Sequence, residues 1–218
     1  MESNDRNKEI ESKNPEIKEV DTDLFEVCKS VCKIMYKNIF GTGFLIKLQK
    51  NNKELLCLLT NEHVITQEII ESKEIIYIKY DCEEKLREIK LDNKERYMIS
   101  DKIMDISIIE IKPEDKIKEK YFLLPYNYDK NENLINKDIY IVQYPEGQNL
   151  SHSEGQIKQV NNFEIIYNGD TELGSSGSPI FLKNRQEVLG IHKQSSINET
   201  EKYGTLISSI LQFLNKDN

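Results

Sequence analysis

The stretch "TELGSSGSPIF", residues 171–181, sets three serines and two glycines in positions 174–178, just before Pro179 and an apolar pair. Read alone, such a cluster is a flexible turn leading into a strand. The same pattern serves a nucleophilic serine, provided the chain supplies a base to take its proton.

Two other places bear on that condition. The chain has only three histidines, and His63 closes the apolar run "LLCLLTNEHVI" (55–65) where it breaks into a polar corner. Asp105 heads "DISIIEI" (105–111), at the start of a β-rich run where an aspartate is otherwise poorly placed. Singly, these are a loop histidine, a turn-forming aspartate and a linker. Jointly they stand in the order His, Asp, Ser. With "GTGFLI" (41–46), "LTNEHVI" (59–65), "DISIIEI" and "GSSGSP" (174–179), the chain resembles trypsin-like (chymotrypsin-fold) serine peptidases over roughly residues 25–215. The α/β-hydrolase elbow does not fit. It needs an acid and then a histidine after the serine, and His192, the only later histidine, follows too closely.

The resemblance implies roles that the chemistry also requires. Ser176, before the inner glycine of GxSGxP, is the expected nucleophile. His63 is its base and Asp105 orients the imidazole. The oxyanion donors are expected to be the backbone N–H groups of Gly174 and Ser176. Ser175 and Ser178 shape the turn. Ser175 stands where digestive relatives carry the aspartate used in activation, so that switch is expected to be missing.

For specificity, the resemblance is closest to bacterial glutamyl endopeptidases. "GIH" (190–192) puts His192 on the wall of the pocket for the residue before the scissile bond, and Thr171 lies five residues before Ser176. Viral chymotrypsin-like cysteine peptidases that cleave after Gln use a similar pair. Imidazole and hydroxyl both hydrogen-bond a carboxylate or amide oxygen. The expectation is therefore cleavage after Glu, with Gln second. A trypsin-like alternative would use Asp170 to hold Arg or Lys. The backbone of Lys193 and Gln194 is expected to pair with the substrate as an added strand. A silent peptide-binding pseudopeptidase of the same fold is the alternative function. His152 reads as an exposed loop residue, with no further ligands at metal-binding spacing, and no cofactor is expected.

The wider composition agrees. The chain has 218 residues, with 30 Lys+Arg against 38 Asp+Glu and a net charge of −8, which disfavours a nucleic-acid partner. No apolar run exceeds "LLCLL" (55–59), against the roughly 18 to 20 residues needed to span a bilayer, so no membrane partner is expected. The N-terminus has no apolar core of the kind a secretory signal needs, and an intracellular, cytoplasmic location is expected. Cys28, Cys32, Cys57 and Cys82 form no CxxC and read as buried thiols. Cys28 and Cys32, four apart in an apparent strand, would lie about 13 Å apart, too far for a disulfide.

Residues 1–22 read as a disordered charged arm, and 23–218 as the peptidase domain. About a dozen short apolar runs follow the arm, from "FEVCKSVCKIMY" (25–36) to "YGTLIS" (203–208), with "ISSILQFLN" (207–215) at helical spacing. The expected fold is all-β: two six-stranded antiparallel β-barrels, one over about 23–118 and one over about 119–218, with a short C-terminal helix.

Overall fold

Residues 22–196 and 200–216 are described by the computed structural model. The expected arm therefore lies outside the described residues up to position 21.

The run 25–36 is not one strand. Helix α1 (Thr22–Cys28) turns at Lys29-Ser30 into β1 (Val31–Tyr36). The reason is visible in the apolar spacing. Leu24, Val27 and Cys28 stand at i, i+3 and i+4, and this face packs inward, leaving Val27 1% exposed against 56% for Phe25. Cys28 and Cys32 thus belong to different elements. All four cysteines are free thiols, with Cys32 and Cys57 buried as expected, Cys28 half-buried and Cys82 exposed, contrary to expectation.

β2 (Ile39–Lys50) and β3 (Lys53–Thr60) form a hairpin through Asn51-Asn52, both at positive φ as a tight two-residue turn requires. After α2 (Gln67–Glu71) come β4 (Ile75–Lys79), β5 (Arg87–Lys90), β6 (Met98–Asp101) and β7 (Ile106–Glu110). These strands make one antiparallel sheet of seven, ordered β5-β4-β1-β2-β3-β7-β6. The sheet does not close into the expected six-stranded barrel. Its end strands β5 and β6 have four residues each. Their neighbourhoods are tied to loops instead: Arg87 donates to Glu83 and the Lys116 carbonyl, and the buried Arg96 pairs with Asp115 at 2.8 Å.

The second lobe does close. β8 (Asp138–Gln143), β9 (Ser151–Asn161), β10 (Glu164–Gly169), β11 (Pro179–Leu182), β12 (Val188–Ser195) and β13 (Lys202–Leu206) form a barrel in the order β10-β13-β12-β11-β8-β9. α3 (Ile207–Leu214) follows, one residue shorter than its periodicity predicts. No helix among the described residues is long and apolar enough to cross a membrane.

Each lobe has its own core, built on Leu45, Leu58 and Ile109 in the first and on Ile141, Ile165 and Ile180 in the second. A third cluster lies between them. Phe44, Leu59 and Ile106 from the sheet meet Val142, Phe181 and Ile191 from the barrel, and α3 adds Ile207, Ile210 and Leu214. Burying this much apolar surface between the lobes fixes their relation, and the loops that meet above the junction carry the site.

Candidate active site

His63 leaves β3 in a tight turn. Val64 and Ile65 both donate their backbone N–H to the Asn61 carbonyl, and the Ser107 hydroxyl donates to that of Ile65. With Val64 and Ile65 buried beneath, His63 is turned outward. Asp105 opposes it from the turn before β7. The His63 ring Nδ1 lies 2.8 Å from Asp105 Oδ2, and the His63 backbone N–H donates to Oδ1 at 3.1 Å. One carboxylate therefore holds both the ring and the main chain of one residue.

The aspartate is held in turn. Its backbone has φ +53°, a left-handed conformation that L residues adopt at a cost. The Asn61 amide donates to its carbonyl at 2.8 Å and secures that conformation. Burial alone would raise the Asp105 carboxyl. Its hydrogen bonds from His63, the charge of that ring and Lys193 outweigh burial and hold it below the usual carboxylate value.

Ser176 sits in the loop between β10 and β11. Ser175 and Ser178 shape this turn, as the sequence pattern predicts: Ser175 Oγ accepts from the Glu172 N–H, and Ser178 Oγ donates to the Ser175 carbonyl. Gly174 and Gly177 both have φ +89°. A Cβ on Gly177 would lie 2.0 Å from the Thr42 carbonyl oxygen, and one on Gly174 would lie 2.7 Å from that of Tyr144. Neither position admits a side chain.

Among the described residues the N–H groups of Gly174 and Ser176 have no acceptor. The carbonyl of Leu173 accepts from Glu146 N–H at 2.5 Å, so the N–H of the trans peptide 173–174 points the other way. Thr42, from the "GTGF" stretch in β2, ties the loop to the first lobe. Its N–H donates to the Ser176 carbonyl (2.9 Å), and its hydroxyl donates to that of Gly174 (2.8 Å) while accepting from Tyr144 N–H (3.1 Å).

A cleft of about 880 Å³ between the lobes is lined by His63, Asp105, Thr171, Ser176, His192, Lys193, Gln194 and others. The expected site residues are thus brought to one place, with Gly174 beside them in the same turn. Ser176 Oγ donates to the Lys193 carbonyl at 3.3 Å, and it makes no hydrogen bond with His63 in this structure. Asp170 lines a separate, smaller cavity with His152 rather than the cleft. His152 lies within strand β9, exposed, and not in a loop. No group of three His, Cys, Asp or Glu among the described residues is placed to hold a metal ion.

His192 is 3% exposed, with Nδ1 2.7 Å from the Tyr167 hydroxyl. Tyr167 is fully buried with no other hydrogen-bond partner among the described residues, so its hydroxyl donates to Nδ1 and the ring proton falls on Nε2. Burial, reinforced by the positive charges of Lys202 and His63, pushes the imidazole down to about 3, and the ring is neutral. Thr171 Oγ1 lies 3.4 Å from Ser195 Oγ, which in turn accepts from Lys202 Nζ at 2.9 Å. Tyr167, Ser195 and Lys202 carry no motif. Only strand register brings them here, with Lys202 opposite both Tyr167 and Ser195. The Lys193 side chain turns away to pair with Glu164 at 2.7 Å, leaving its backbone to the cleft.

Residues 41–191 match the model of the trypsin-like peptidase domain, and the chain belongs to that family. The chain is thus a trypsin-like serine peptidase, a class that acts on peptide or protein substrates. Among solved structures it is similar to the active form of the Rv3671c protease from M. tuberculosis, at 18% identity and a TM-score of 0.65, covering 95% of this chain and 92% of that one. The serine endoprotease from Yersinia pestis gives 16% identity and a TM-score of 0.66, covering 90% of this chain and 66% of that one. At these identities the likeness is one of fold, and it is the chymotrypsin-like fold. No curated protein sequence matches.

Proposed function

We propose that the chain cleaves peptide bonds through an acyl-enzyme on Ser176 and prefers Glu before the scissile bond, with Gln second. The observation that carries the first part is the joining of Asp105 and His63 beside a serine whose turn offers two backbone N–H groups without acceptors. The Ser176 hydroxyl turns about its Cα–Cβ bond from the Lys193 carbonyl to His63 Nε2, gives up its proton as it attacks, and forms the tetrahedral intermediate. Gly174 and Ser176 N–H groups receive the oxyanion, a donor of this kind contributing about 3 kcal/mol. Protonated His63, steadied by Asp105, then gives its proton to the leaving amine, and water repeats the sequence in reverse. Lys193 and Gln194 offer their backbone to the substrate strand.

The specificity reading rests on the convergence of Thr171, His192 and Ser195 at one end of the cleft. Asp170, the residue that would hold Arg or Lys, is turned to another cavity. The turned-away Ser176 hydroxyl is the one observation in favour of a silent peptide binder. A fluorophosphonate probe separates the two: stoichiometric labelling abolished by Ser176→Ala supports the enzyme, and no labelling of the folded protein supports the binder. For specificity, peptides differing only before the scissile bond should rank Glu first. A clear Arg, Lys or Phe preference overturns that reading. The exposed Cys82 thiol suits a reducing, intracellular compartment.

A further inference from the structure

Two lysines of the second lobe are buried beside the cleft, Lys193 at 8% and Lys202 at 4% exposure. Lys193 is neutralised by Glu164. Lys202 is not. Among the described residues its only hydrogen-bond partner is the Ser195 hydroxyl, and no carboxylate pairs with it. A buried ammonium without a counter-ion is costly, and such groups are kept where something else uses the charge.

The side chains it stands behind carry no formal charge, although Glu62, Lys102 and Glu172 also line the cleft. Thr171 and Ser195 present hydroxyls, and His192 is a neutral ring with its proton on Nε2, held so by Tyr167. These three donors serve a carboxylate oxygen and an amide oxygen alike. They explain why Glu and Gln both fit, and they do not explain a choice between them. Register places the charge where the choice is made: Lys202 opens β13 directly opposite Ser195 on β12 and Tyr167 on β10. Its field reaches His192, whose basicity it helps to depress.

We propose that Lys202 is the residue by which this pocket distinguishes an acidic side chain from its amide: the ammonium behind Ser195 is the counter-ion that a bound Glu carboxylate supplies with its missing partner. The inference rests on the proposed acidic pocket and assigns the charge within it to a residue no motif marks. It also gives Lys202 the carboxylate partner that no described residue supplies.

The test compares kcat/KM for matched Glu and Gln peptides in the wild type and in Lys202→Met, Lys202→Gln and Lys202→Arg, with thermal unfolding and Ser176 probe labelling alongside. The wild-type Glu-to-Gln ratio should fall about tenfold or more toward unity in both neutral variants and be retained by Lys202→Arg. Lys202→Met should also unfold at a higher temperature, because it removes an uncompensated buried charge, an effect opposite to that of losing a structural contact. A wild-type ratio preserved in folded, probe-reactive neutral variants overturns the proposal while leaving the acidic pocket standing. So does failure of both neutral variants to fold, which would make Lys202 structural. A wild type that prefers neither Glu nor Gln removes the pocket reading itself, and Lys202 with it.

Discussion

The two lobes hold their shares of the cleft in different ways. In the first, His63 and Asp105 are already joined by ring and backbone, and Asn61 and the buried Val64 and Ile65 leave that pair no slack. In the second, the turn around Ser176 is equally fixed in its backbone, yet the hydroxyl rests on the Lys193 carbonyl, and the buried Lys202 behind Ser195 meets no carboxylate among the described residues. Half of the proposed machinery is therefore joined in the free chain, and the proposal leaves the other half to a rotation of Ser176 and to the substrate. Chemistry should respond to the loss of a catalytic group in either lobe, and selectivity to changes in the second lobe alone.

The largest expected effect ignores the difference between lobes. Ser176→Ala or His63→Ala should each lower kcat on the order of 10⁵- to 10⁶-fold, and the double variant should be little worse, as for residues acting as a unit. Single-turnover kinetics check this, and additive losses would break the unit. Asp105→Asn tests the rigidity of the first lobe. Losing the carboxylate that fixes the ring should cost about 10⁴-fold in kcat at neutral pH, with KM changing far less.

Thr42→Val sits on the seam. It strips the hydroxyl from the Gly174 carbonyl and the Tyr144 N–H, each unpaired buried group costing about 1–3 kcal/mol. Probe labelling should slow about tenfold or more while Tm falls. A variant that loses stability but labels at the wild-type rate would show that the seam serves folding only.

The second lobe's pH response is read in stability rather than in rate. The His192 imidazole is depressed to about 3 in the folded chain, against about 6.5 unfolded. The unfolded state therefore takes up the proton first as pH falls. The stability this group contributes is complete above about pH 6.5 and is lost toward pH 3, by at most about 1.4 kcal/mol per pH unit. Asp105, also depressed, acts with the same sign but further down the acid range. His192→Gln should flatten the Tm profile between pH 6.5 and 4.5 relative to wild type, and an unchanged slope would sink that assignment.

How much of this was readable from the chain follows from what each residue depends on. His63, Asp105 and Ser176 sit in local patterns, a strand breaking into a corner or a glycine-rich turn, and local patterns survive in one dimension. The strands with alternating apolar residues were legible for the same reason. "MISD" (98–101) was not, because four residues with two apolar positions give no period, and β6 exists only because it pairs with β7. α1 was hidden because Leu24, Val27 and Cys28 fit both a helical stripe and a loose alternation. That the first sheet stays open while the second closes depends on its end strands, where tertiary ion pairs decide. Lys202, Ser195 and Tyr167 depend on register across strands far apart in sequence, and no spacing along the chain marks them.

α3 has a consequence for the making of the protein. Its Ile207, Ile210 and Leu214 complete the apolar cluster between the lobes, and Asn215 just beyond it ties back to the Gln49 carbonyl and the Asn51 N–H of the β2–β3 turn. All three proposed catalytic residues are synthesised before it. A nascent chain halted ahead of α3 carries the whole triad yet lacks the wedge that seats one lobe on the other.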